Sequence, residues 1–270
     1  MKSCNIENLN ALAEENSEKY KNRKPFPYIS FENFLNFDAA QNMMDAFPSI
    51  DENFYKYDNP LEKKYAFDKV SELPAPIRDT LIELNSPPFL NFLEKLTGIN
   101  GLIPDPYYRG GGIHQSKRGG KLDIHVDFNV HPKLELHRRL NILIYLNKDW
   151  KEKYAGDFQI WKGHKNEKGK HVLEELKARI YPNFYTFACF STSETSYHGF
   201  PDEIKCPEGM TRKSIALYYY TARPAFESLD EEQHSTTFIK RPHESNELEE
   251  LREKRNKGRI NSNIEDSCLS

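Results

Sequence analysis

The chain has 270 residues, 37% of them hydrophobic, and a formal net charge of −3. That length buries a sizeable core without disulfides, and the slightly acidic balance excludes the electrostatic footprint of a nucleic-acid binder. Mean hydropathy is −0.79, no apolar run reaches the roughly 18 residues of a membrane span, and the polar start MKSCNIENLNALAEEN lacks the apolar stretch of a secretory signal. Cys4, Cys189, Cys206 and Cys268 are scattered, as free thiols in a reducing compartment would be. The expectation is a soluble cytoplasmic protein with neither a membrane nor a nucleic-acid partner. Nothing in the pattern sets its oligomeric state.

In chain order, residues 1–24 read as a polar helix or a loose arm, and Pro27–Leu35 as a strand entering the fold. Helical periodicity follows over 38–47 and 75–98, where Ile77, Leu81, Ile82 and Leu84 lie near one face. Pro87-Pro88 splits the second stretch into two helices. Gly110, Gly111 and Gly112 mark a turn. Short β-rich runs then cover 113–117, 122–129, 139–147, 157–162, 184–190 and 212–221. Many short strands with few intervening helices predict a mainly β fold with flanking helices, built on a closed antiparallel barrel or jelly roll. The charged stretch NELEELREKRNKGR predicts a short solvated helix, then a disordered tail. The expected division is a support region 1–104, a core 105–225 and a charged tail 226–270.

The sharpest pattern is Lys121-Leu-Asp-Ile-His125-Val-Asp127. Strand alternation puts His125 and Asp127 on one face, close enough to share an ion. A bare His-x-Asp occurs by chance in roughly one of every two or three chains of this length, so it decides nothing alone. His198, in Ser196-Tyr-His198-Gly199, follows a later apolar strand. Two histidines and a carboxylate on one octahedral face leave positions open, which is the facial-triad logic of non-haem Fe(II). Arg212 opens the apolar strand RKSIALYYY, with Ser214, Ala216 and Tyr218 on its face and Lys213 opposite. A guanidinium there can clamp a carboxylate through paired hydrogen bonds, and the Ser214 hydroxyl can add another.

The ordered series HVD, RRLNILIYLNKDW, GDFQIW, SYHG and RKSIALYYY, over about residues 105–223, resembles the 2-oxoglutarate/Fe(II) dioxygenase superfamily, and within it the prolyl-4-hydroxylase-like branch. The resemblance implies a double-stranded β-helix core, a jelly-roll or cupin-like arrangement. It implies iron on His125, Asp127 and His198, and the far carboxylate of 2-oxoglutarate on Arg212 with Tyr145. Gln115 and Ser116 stand about where some members carry a tyrosine, which makes Gln115 a candidate co-substrate contact. The implied cofactors are Fe(II), 2-oxoglutarate and O2, with ascorbate helpful in vitro.

The implied activity is hydroxylation of a C–H bond of a prolyl residue or an amino-acid-like small molecule, giving succinate and CO2. A biosynthetic tailoring oxidase catalysing desaturation or cyclisation would use the same residues, and a non-catalytic cupin-like binding module would use the same barrel. Candidate pocket residues are Asn141, Asn129, Arg139 and Trp161, with Phe128 beside them. Arg138 and Arg139 precede the strand carrying Tyr145 and could meet an anionic substrate or form a solvated charge pair. His131 and His137 flank Pro132 in a loop that could line the pocket, whereas His114, His164 and His171 read as surface or loop residues. The segments expected to hold specificity are the loops 128–138, 163–175 and 200–210.

Overall fold

The computed structural model describes residues 1–222 and 233–257. The first helix, α1 (Ile6–Lys21), is capped by Asn5, whose side chain accepts from the backbone N–H of Glu7 and Asn8. It is no loose arm, because Leu9, Ala13 and Tyr20 are buried against the rest of the protein. Strand β1 (Tyr28–Phe31) and helix α2 (Phe37–Asp45) follow. Helices α3 (Ala75–Leu84) and α4 (Pro87–Thr97) divide as expected. The proline pair starts α4, where a missing N–H costs nothing.

Between α2 and α3 lies a hairpin that the sequence reading leaves out, β2 (Tyr55–Asn59) and β3 (Glu62–Phe67). Then come β4 (Ile103–Pro104), β5 (Gly112–Ser116), β6 (Lys121–Val126), β7 (His137–Tyr145), β8 (Phe158–Lys165) and β9 (His171–Ile180). The remaining elements are β10 (Phe187–Ser191), β11 (His198–Phe200), β12 (Arg212–Thr221), β13 (Thr237–Phe238) and α5 (Glu249–Asn256). The supposed loop 163–175 is therefore mostly the β8–β9 hairpin. HVLEELKARI has helix-like apolar spacing, and two register shifts against β8 break the clean alternation expected of a strand.

Pairing is antiparallel throughout, in the order β1-β10-β7-β12-β5-β3-β6-β11-β8-β9. The result is a nearly closed jelly-roll core with few flanking helices. Gly112, at φ 76°, lets β5 close on β3, since a Cβ there would stand 2.3 Å from the Phe67 carbonyl oxygen.

Strands β7, β10 and β12 are buried on both faces. Outward, Leu140, Ile142, Ile144, Phe187, Cys189, Ile215 and Leu217 pack on α1, α3 and α4 residues such as Leu81, Phe89, Phe92 and Leu93. Each such side chain contributes roughly 1.5–3 kcal/mol on burial. Inward, Tyr145, Ala188 and Phe190 meet Phe158 and Ile160 of β8. Cys4, Cys189 and Cys206 are buried free thiols, and Cys268 lies outside the described residues.

Helix α5 is not a solvated helix. Arg252, 2% exposed, reaches Asp123 Oδ2 at 2.9 Å and Glu244 Oε1 at 2.6 Å. Arg255 pairs with Glu62 of β3 at 3.0 Å, and β13 lies along β6. Charge density in the sequence suggested solvent, but here the charges are interlocked partners at a buried seam. The expected disordered stretch beyond it, residues 258–270, lies outside the described residues.

Removing one partner of a buried ion pair strands the other charge. Arg252→Met is therefore expected to lower folding stability by about 3 kcal/mol, read as a reduced urea midpoint. An unchanged midpoint would return α5 to solvent.

Candidate active site

Strand β6 delivers His125, and the chain leaves the strand at Asp127. Antiparallel β11 lies alongside and sets His198 opposite His125. The ligand atoms of His125, Asp127 and His198 lie within 4.8 Å of one another. His125 Nε2 is 3.7 Å from Asp127 Oδ1, and His198 Nε2 is 3.2 Å from Asp127 Oδ2.

The backbone fixes both rings. His125 Nδ1 lies 2.8 Å from the Asp123 carbonyl, and His198 Nδ1 lies 2.7 Å from the Ser196 carbonyl. A carbonyl only accepts, so each Nδ1 carries the proton and each Nε2 lone pair turns to the shared centre.

Asn141 of β7 donates to Asp127 Oδ2 at 2.7 Å and accepts from Arg138 Nε at 2.8 Å. Arg138 Nη2 is 3.4 Å from the same carboxylate oxygen. Burial opposes ionisation of Asp127, but the Arg138 guanidinium and the two imidazoles outweigh it and hold the carboxyl well below its usual range. Burial pushes the His198 pKa down, against the opposing pull of Asp127. An ionised carboxylate with two neutral imidazoles is the donor set that a divalent ion such as Fe(II) takes.

Behind the triad is an inner cavity of about 80 Å³, walled by His114, Ser116, Leu143, Phe158, Phe190, Arg212 and Ser214 among others. Arg212 is 4% exposed, and its Nε donates to the Gly156 carbonyl at 2.6 Å. Gly156, at φ 76°, has no Cβ to press on the Arg212 side chain, where one would stand 3.0 Å from Cδ. The guanidinium lies 4.3 Å from the Phe200 ring and 4.9 Å from the Tyr145 ring. Among the described residues, no carboxylate comes within ion-pair distance of it. Burial therefore lowers its pKa, which Tyr145 and Asp157 only partly restore. The Tyr145 hydroxyl is buried without a hydrogen-bond partner among the described residues, and burial raises it to about 12.

In front of the triad a larger cavity, about 350 Å³, opens outward between Tyr57, Lys64, Arg109, Phe128, Arg138 and Tyr218. Gln233, Ser235, Thr236 and Arg255, from the chain's C-terminal stretch, complete its wall.

Several expected residues stand elsewhere. Gln115 points away from the cavity, donating to the Pro48 carbonyl and accepting from Thr211. Its pairing partner on β12 is Lys213, so alternation turns both outward, while His114 and Ser116 face in opposite Ser214 and Arg212. His114 is thus no surface residue, and burial drops its pKa to about 3. Trp161 packs outside, with Leu173 and Tyr197. Asn129 ties down the C-terminal stretch through the His234 backbone N–H.

Of the two arginines, Arg138 faces the cavity; Arg139 reaches Thr221 instead. His131 does not line the pocket. It is buried against Asp105 at 3.4 Å, and its Nδ1 accepts from the Lys133 and Leu134 backbone, clasping the 127–136 loop. Asn141 does reach the site, as the residue that holds Asp127.

Residues 111–220 match the family model of the 2OG-Fe(II) oxygenase superfamily. This segment, which holds the triad and Arg212, is a 2-oxoglutarate/Fe(II) oxygenase core, and its cofactors are Fe(II), 2-oxoglutarate and O2. Its fold is shared with a prolyl hydroxylase from Trichoplax adhaerens, solved with a peptide fragment of the hypoxia-inducible-factor oxygen degradation domain. That protein is 16% identical, with a TM-score of 0.52 over 80% of this chain and 91% of that one. It is also shared with SnoN, a non-haem α-ketoglutarate-dependent epimerase from nogalamycin biosynthesis, at 9% identity and TM-score 0.51 over 86% of this chain and 97% of that one. No curated protein matches the chain by sequence. No helix among the described residues is long and apolar enough to cross a membrane.

Residues that orient a metal ligand usually support affinity by about 10- to 100-fold. Asn141→Ala is expected to weaken Mn(II) or Fe(II) binding by that factor in a metal titration. Unchanged affinity would make Asn141 only a cavity wall.

Proposed function

We propose that the protein hydroxylates a C–H bond of an amino-acid-like small molecule or a prolyl residue, holding iron on His125, Asp127 and His198. The observation that carries this reading is Arg212, a buried guanidinium without a carboxylate partner, facing an inner cavity that also touches the triad. A buried charge needs a counter-charge, and the far carboxylate of 2-oxoglutarate supplies one there. Ser214 adds a hydroxyl on the same wall. The Tyr145 hydroxyl, which has no other partner among the described residues, is the third contact.

Bound together, iron and 2-oxoglutarate supply O2 activation coupled to decarboxylation, with succinate and CO2 released. The protein's share is geometric and electrostatic. Asn141 and Arg138 keep Asp127 ionised and oriented. Phe158, Phe190 and Leu143 keep water from the inner cavity. The outer cavity aims one C–H at the centre.

A cupin-like binding module would have no use for the unpaired Arg212. Desaturation or cyclisation uses the same residues, and product mass separates them: hydroxylation adds one oxygen, the others remove two hydrogens.

Protein supplied with Fe(II), 2-oxoglutarate, ascorbate and candidate substrates is expected to release succinate. His125→Ala and Asp127→Ala should abolish this, and Arg212→Gln should raise KM for 2-oxoglutarate by about 10- to 100-fold, the worth of charge-assisted hydrogen bonds. Unchanged turnover in His125→Ala would overturn the metal assignment.

A further inference from the structure

We propose that the outer cavity contains an anion site of its own, in which Arg138 and Arg109 bind a carboxylate or phosphate group of the substrate. This rests on the oxygenase reading above and names the substrate class that reading leaves open. Arg138 is 1% exposed, yet its Nη2 has no hydrogen-bond partner among the described residues. Its Nε is committed to Asn141, and Nη2 stands 3.4 Å from Asp127 Oδ2, outside hydrogen-bond geometry. The guanidinium plane is held over the Tyr218 ring at 3.6 Å and near Phe128 at 4.5 Å. It is therefore a rigid donor whose ordering cost is already met by packing.

Arg109 lines the same cavity. The Tyr218 hydroxyl donates to the Gly110 carbonyl at 2.7 Å, which ties the Arg109 turn to the ring that carries Arg138. Among the described residues no carboxylate lies within ion-pair distance of the Arg109 guanidinium. Of the other cations of the wall, Lys64 and Arg255 share one carboxylate, Glu62, each at 3.0 Å, and Arg138 is ion-paired with Asp127 at 3.4 Å. The described wall thus sets four cations against two carboxylates, Glu62 and Asp127, and its excess positive charge lies beside Arg109, which has no ion-pair partner among the described residues, and the free Nη2 edge of Arg138. A prolyl residue within a peptide offers a neutral amide at that point. A free amino acid or a phosphorylated small molecule offers anionic oxygens to Arg109 and to the unbonded Nη2 of Arg138.

The test uses the full chain loaded with Mn(II) and N-oxalylglycine, an inert co-substrate analogue that fills the inner cavity and keeps anions off Arg212. Phosphate is followed by ³¹P relaxation and acetate by methyl ¹H relaxation, since an anion on Arg138 sits beside the paramagnetic ion. The expected result is a saturable enhancement, with Kd weakened about tenfold or more in Arg109→Gln and again in Arg138→Lys, which keeps a charge but loses the planar fork. The anion with the tighter Kd identifies the group the substrate carries.

Enhancement that rises linearly without saturation, or equal Kd values in wild type and both variants, would overturn the site. Water-proton relaxation measured before any anion is added shows whether Mn(II) binds at all. If it does not, the oxygenase reading fails separately, and calorimetry with phosphate on wild type and Arg109→Gln still decides whether the anion site exists.

Discussion

Three adjacent strands, β10, β7 and β12, are covered on both sides, and each side asks for different chemistry. One face must satisfy a helical layer and takes only apolar groups. The other must present Asn141, Arg212 and Ser214 to an enclosed space. Because strand side chains alternate strictly, a slip of one residue would send Arg212 into the helix layer and Ile215 into the cavity. The helix layer is therefore what keeps the register of the cavity-facing side. Its packing on Ile142, Ile144 and Ile215 makes any other register costly.

Within that frame the site is a problem of placing charge where water is scarce. Asp127 is shared between two imidazoles, an amide and a guanidinium. The two histidines are aimed by backbone carbonyls rather than by other side chains, so their orientation follows directly from strand geometry. Arg212 is treated differently. It is held through one nitrogen by Gly156 and otherwise left to aromatic faces, which support a cation without neutralising it. That contrast between a saturated triad and an unsaturated arginine separates the part of the cavity suited to a metal from the part suited to an organic anion.

Much of this was legible in the chain itself. HVD on a strand, Arg212 at the head of RKSIALYYY and Tyr145 on IYLN are short-range patterns, and alternation alone assigns their faces. It turns Arg212 toward the cavity and Lys213 away from it, as the structure has them. For Gln115 and Ser116 the same rule needs the Arg212–Ser116 pairing, which turns Gln115 outward and is not visible in the local sequence. The choice of Arg138 over Arg139, the burial of His131 on Asp105, and the docking of α5 all depend on partners distant in sequence. The hairpin β2–β3 carries no clear strand signal because YKYDN and EKKYAF are rich in charge; Glu62, with Lys64 and Arg255 as partners, is buried nonetheless.

The docking of the C-terminal stretch also orders events in time. The triad is complete once the chain has grown to His198, and the inner cavity once it reaches Arg212 and Ser214. The outer wall waits for Ser235, Thr236 and Arg255, and Asp123 waits for Arg252. A chain emerging from the ribosome thus completes the triad and the cavity of Arg212 before the outer wall that faces them. The late docking of α5 closes the outer cavity over side chains that are already in place.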